Sequence, residues 1–78
     1  MNITDVTIEQ IRVARTILRF PQEHICKSIG ISGASYSAIE SEKSDPKLKT
    51  FRSIVRFFID NGIEFKEDGS VSRIDSAR

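Results

Sequence analysis

The stretch that decides the fold is QEHICKSIGISGASYSAIE, residues 22–40. Its apolar residues Ile25, Ile29, Ile31, Tyr36 and Ile39 recur at helical spacing, and the period is broken once, at Gly30. A glycine takes the positive φ that a tight turn between helices demands, so the spacing predicts two short amphipathic helices hinged at residue 30. Pro21 cannot continue an earlier helix but suits the opening of a new one, which places the first of the pair at about residues 22–29. Gly30 then serves as a left-handed cap. Ser32 is a natural N-cap for the second helix, which is expected to reach about residue 41.

Working outward, Thr7-Ile-Glu-Gln10 has the form of a capping box and predicts an earlier helix over about residues 8–19, with Ile8, Ile11, Ala14, Arg15 and Leu18 on its inward stripe. Downstream, Asp45-Pro46 marks a loop. A further helix is expected over about residues 50–61, where Phe51, Ile54, Val55 and Phe58 fall at i, i+3, i+4 and i+7. After Gly62 the period changes: Ile63-Glu-Phe65 and Val71-Ser-Arg-Ile74 flank Glu67-Asp-Gly-Ser70, the pattern of two short strands in a hairpin. An isolated hairpin is marginal in water and must dock on the helices or pair with another copy.

At 78 residues the chain makes one domain, with residues 7–61 as the helical part and 62–78 as strand, hairpin and tail. Cys26 is the only cysteine, so no internal disulfide forms, and Cys26, His24 and Met1 offer no metal or haem spacing. No apolar run approaches the roughly 20 residues of a membrane span. The opening residues lack the pattern of a signal peptide, so a cytoplasmic protein without membrane contact is expected. One histidine, no glycine-rich phosphate loop and no room for a substrate pocket argue against an enzyme, and no small-molecule substrate is expected. Net charge is only +1, but residues 43–56 carry five cations (Lys43, Lys47, Lys49, Arg52, Arg56) against the single anion Asp45. The positive field is local.

The order of these features, a glutamine-led second helix, a glycine turn, a serine-capped third helix ending in Ile39-Glu40, a proline in the next loop and a long amphipathic helix, resembles the lambda-repressor-like, Cro-type helix-turn-helix family over about residues 7–61. Gly62-Ile-Glu-Phe65 resembles the short strand that closes many small bacterial and phage members. The resemblance implies an all-α bundle of four to five helices with a short C-terminal β-hairpin or strand. It also implies binding of double-stranded DNA by a small transcriptional regulator with no cofactor, the third helix lying in the major groove. By the same resemblance Gln22 is the phosphate clamp, while Ser32, Gly33, Ala34, Ser37 and Ala38 occupy the positions that meet bases or adjoining phosphates. Ser35 is a further candidate for backbone or base contact. Lys43 and Lys47 sit in the loop that flanks the DNA backbone, and Arg15 and Glu40 match an internal ion pair.

This chain departs from the family pattern where it matters for reading. Gly33, Ala34 and Ala38 stand where relatives carry Arg, Gln, Lys or Asn, and small residues cannot supply the ~1–3 kcal/mol of discrimination typical of a bidentate base contact. Phosphate contacts would then carry most affinity. Tyr36 is expected to pack in the core with its hydroxyl at the edge, within reach of phosphate. Val55, Phe57, Ile59 and Phe65 form an apolar excess that predicts a homodimer through the fourth helix and hairpin. The competing expectation is that the hairpin folds over these residues. The rival function is a protein-interaction or antitoxin-like module with the same fold and faded base reading.

Overall fold

Thr7 starts the first helix because its hydroxyl takes an amide proton that no helical carbonyl can reach. Thr7 Oγ1 accepts from the Gln10 N–H at 3.1 Å, and Gln10 Oε1 accepts from the Thr7 N–H at 2.9 Å, which closes the expected capping box. The computed structural model describes residues 2–74; Met1 and residues 75–78 of the expected tail lie outside them. In chain order it comprises a 3-10 turn (Ile3–Asp5), α1 (Ile8–Leu18), α2 (Gln22–Ile29), α3 (Gly33–Glu40), α4 (Leu48–Asp60), β1 (Ile63–Phe65) and β2 (Val71–Arg73). The chain is therefore mostly helical, with one two-stranded antiparallel sheet that places Ile63 opposite Arg73 and Phe65 opposite Val71.

Gly30, at φ 77°, ends α2 where the pattern places it, and Ser32 caps α3. Two boundaries differ from expectation. Residue 19 leaves α1 in the left-handed conformation (φ 59°), so the helix stops at Leu18, and Thr50 falls inside the first turn of α4 because extended Lys47 already marks its start. The opening 3-10 turn has no counterpart in the sequence pattern. It carries Val6 into the core and Ile3 against it.

The core draws on every helix. Ile11, Ile25, Tyr36, Ile54, Val55, Phe58 and Ile63 are fully enclosed. Burial of aliphatic and aromatic side chains at roughly 1.5–3 kcal/mol each is the main term favouring this fold. The hairpin docks on the bundle in two ways. The Phe65 ring meets Phe58 edge-on, with centroids 6.4 Å apart, and the Gln10 side-chain amide donates to Lys66 O at 3.1 Å and to Ser70 O at 3.5 Å. Gln10 is buried and thus joins the start of α1 to the hairpin turn, beyond its role in the cap. Gly62 is required at the α4–β1 junction: its φ is 88°, and a Cβ there would lie 3.2 Å from Ile74 O. Among the described residues no helix is long and apolar enough to cross a membrane.

Candidate nucleic-acid interface

The α2–α3 unit is closed by its own backbone. Gly30 N–H and Ile31 N–H both donate to Cys26 O, at 2.8 and 3.1 Å, and the chain then turns into α3 at Ser32. Ser32 Oγ accepts from the Ser35 N–H at 3.1 Å and donates to Ser35 Oγ at 2.9 Å, so the cap also engages the Ser35 hydroxyl. Cys26 is buried, and burial pushes its thiol above the ordinary range. It is a small apolar packing residue in this fold.

The inner face of α3 consists of Tyr36, Ile39 and Glu40, all buried. The Glu40 carboxylate collects four donors. Oε2 accepts from Arg15 Nε at 2.7 Å and from the Tyr36 hydroxyl at 2.6 Å; Oε1 accepts from Arg15 Nη2 at 3.0 Å and from Gln22 Nε2 at 3.2 Å. Arg12 also donates to the Glu40 carbonyl, and Arg15 Nη1 donates to Phe20 O at 3.1 Å. The internal pair expected of Arg15 and Glu40 is thus present and bidentate, the arrangement that combines strength with angular definition. Burial alone would push the Glu40 carboxyl up, but its hydrogen bonds from Arg15 and Tyr36 outweigh burial and hold it below the usual carboxylate range. The Arg15 guanidinium is raised by the Glu40 hydrogen bond. The Tyr36 hydroxyl is raised by burial and by its bond to the carboxylate, so it remains a donor.

This hub corrects one expectation and adds an internal bond to another. The Tyr36 hydroxyl is not at an edge within reach of phosphate: the side chain is fully enclosed, and its proton is committed to Glu40. Gln22, half-buried at the start of α2, is an internal strut before it is anything else, because its amide nitrogen bonds Glu40. An amide nitrogen carries two protons, and one bond to Glu40 leaves the second for another acceptor. The Tyr36–Glu40 bond joins residues one helical turn apart, a spacing visible in the sequence once Tyr36 is taken as facing the core.

The outer face of α3 is of opposite character. Gly33, Ala34, Ser35 and Ser37 are exposed and Ala38 is half-buried. Beside it runs a shallow groove of about 540 Å³, where α3 residues Ala34, Ser35 and Ala38 meet Ser44, Lys47 and Thr50 of the following loop and helix start. The loop is folded back on α3, with the Lys43 N–H donating to Ala38 O at 2.9 Å. Lys43, Lys47, Lys49 and Arg52 are all exposed. The fold therefore brings Ala34, Ser35, Ala38 and Lys47 to one groove, while Gln22, Ser32, Gly33, Ser37 and Lys43 do not line it.

Comparison with protein-family models, curated proteins and solved structures gives no match.

The residues expected at a dimer interface do not form one patch. Val55 has no exposed surface and belongs to the core, because its i, i+3, i+4 spacing with Phe51, Ile54 and Phe58 places it inward. Phe57 is half-buried, its ring centroid 5.9 Å from those of Phe20 in the α1–α2 turn and His24 in the first turn of α2; these two rings, not the hairpin, cover it. Phe65 is half-buried against Phe58. Of the four, Ile59 alone is exposed, at 41 %.

Proposed function

We propose that this chain binds duplex DNA as a small helix-turn-helix regulator of the lambda-repressor-like, Cro-type kind, with α3 entering the major groove. The observation that carries the reading is the asymmetry of α3. Its inner face is locked to α1 and α2 through Glu40, and its outer face is open to solvent beside exposed Lys43 and Lys47. A helix presented at a fixed roll, with cations beside it, suits docking against phosphates and groove floor. The second amide proton of Gln22 and the free N–H groups at the start of α2 face one phosphate, and Lys43 and Lys47 face others. Gly33, Ala34 and Ala38 contribute no bidentate donors, so affinity rests on charge and falls with salt at a log–log slope of about −0.9 per phosphate contacted.

The same small residues favour the second reading, a protein-interaction or antitoxin-like module of this fold. Fluorescence anisotropy with mixed-sequence duplexes at two salt concentrations separates the two. Salt-sensitive binding that is weakened by both Gln22→Ala and Lys43→Ala supports the DNA reading; no binding at low salt favours the protein-interaction module. Binding that both substitutions leave unchanged would reject the docking pose.

A further inference from the structure

The groove of about 540 Å³ beside α3 is lined chiefly by apolar groups. Ala34 and Ala38 stand one helical turn apart on its α3 side, and Ile31, Ile39 and Pro46 complete the apolar wall. Ala34 is exposed, Ile31, Ala38 and Pro46 are half-buried, and Ile39 is buried. Among the described residues, Lys47 is the charged one in this lining. Ser35 adds a donor. Ser32 Oγ accepts from the Ser35 N–H and gives its own proton to Ser35 Oγ, so the Ser35 hydroxyl proton is left to donate into the groove.

Such a surface discriminates among the base edges that a duplex presents in its major groove. Adenine and cytosine offer amine donors there and guanine offers two acceptors, whereas thymine alone offers a methyl group, beside its O4 acceptor. A donor or acceptor pressed against Ala34 and Ala38 would lose water and gain no partner, at a cost that exceeds what a methyl group gains by leaving water. The alanine pair therefore favours the methyl group and penalises the polar edges. The Ser35 proton matches the adjacent O4, and the Lys47 ammonium matches a phosphate strand running past the groove.

We propose, on the strength of the DNA reading, that this groove is a thymine-methyl site: Ala34 and Ala38 take the 5-methyl group of thymine, and Ser35 donates to its O4. The small residues of α3 then do more than leave base reading weak. They give it a direction, a modest preference for A·T pairs read through a methyl group instead of through long donors.

The test compares binding of the whole chain, by fluorescence anisotropy at low salt, to a short alternating A·T duplex, to the same duplex with uracil for thymine, and to the same duplex with 5-bromouracil. Uracil lacks only the methyl group and is expected to weaken binding about fourfold for each methyl group seated, the equivalent of about 0.8 kcal/mol. Bromine fills the space of the methyl group and is expected to restore binding. Ala34→Gly and Ala38→Gly, with circular dichroism as the check on folding, should lower the preference for thymine over uracil while leaving the salt dependence unchanged. Ser35→Ala should weaken both duplexes alike, because uracil keeps O4. Equal binding of the thymine and uracil duplexes by the wild type overturns the methyl site and leaves the DNA reading standing. So does a uracil penalty that both glycine variants keep in full, which would place the effect in duplex shape. Binding to none of the duplexes overturns the methyl site and the DNA reading together.

Discussion

The two faces of α3 lie a helix width apart and obey opposite rules. Inward, Tyr36, Ile39 and Glu40 are buried, and no buried side-chain nitrogen or oxygen among the described residues lacks a partner. Outward, Gly33, Ala34, Ser35 and Ser37 are exposed, and the side-chain bonding there is that of the serine cap at the helix start. The inner face spends its polar groups on orientation, since a carboxylate held by Arg15 of α1 and Gln22 of α2 admits one roll of α3. The outer face is free of such constraint and equally poor in long donors. For a DNA-binding helix this combination implies firm presentation and weak reading.

The sharpest way to break the comparison is to remove one member of the hub. Arg15→Ala strands the Glu40 carboxylate, whose side chain is only 4 % exposed, and a buried charge without its partner costs about 3–5 kcal/mol. Glu40→Ala strands Arg15, which at 25 % exposure regains water, so the smaller loss is expected there. Urea unfolding of the two variants decides, and the reverse order would mean that the pair does not carry the orientation. Next comes Tyr36→Phe, which keeps the ring in the core but deletes one hydrogen bond to a charged acceptor, at about 1.5–3 kcal/mol.

The hub also fixes the acid limb of stability. Because the folded Glu40 carboxyl lies below its unfolded value, its contribution is complete above the ordinary carboxylate range and is lost as pH falls through the lowered folded value. Urea midpoints followed from neutral to acid pH should decline for the wild type, and Glu40→Gln should shed that part of the decline. Toward the outer face the effects shrink. Ser32→Ala removes a cap worth about 1 kcal/mol. Ser37→Ala, on the open face, should move the urea midpoint by no more than the equivalent of about 0.5 kcal/mol. A larger change at Ser37 would mean that the outer face is not the unconstrained surface described above.

Much of this architecture was legible because local chemistry decides it. Thr7 and Gln10, Pro21, Gly30, Ser32 and Asn61-Gly62 each act within one turn of themselves. Caps and left-handed residues therefore mark α1, α2 and α3 to within a residue or so. The change to alternating apolar residues after Gly62 likewise marked the hairpin. The Arg15–Glu40 pair was accessible through resemblance alone, since no spacing connects residues 25 apart.

What escaped was set by distance along the chain. Gln10 reads as half of a capping box, yet it also anchors the hairpin turn through Lys66 and Ser70, 56 and 60 residues away. Phe57 lies off the inward stripe of α4 and suggests a partner, but Phe20 from the α1–α2 turn and His24 from the start of α2 cover it. The Tyr36 hydroxyl is drawn inward by the Glu40 carboxylate, which also binds one of the two amide protons of Gln22. By itself, then, the sequence determined the ends of α1, α2 and α3 to within a residue or so and the place of the hairpin, because capping, turn chemistry and apolar period are local properties. Only the tertiary structure decided which polar side chains face inward and which apolar ones remain uncovered. Those outcomes depend on a desolvated carboxylate finding donors on three separate helices, and on which element comes to rest against each exposed ring.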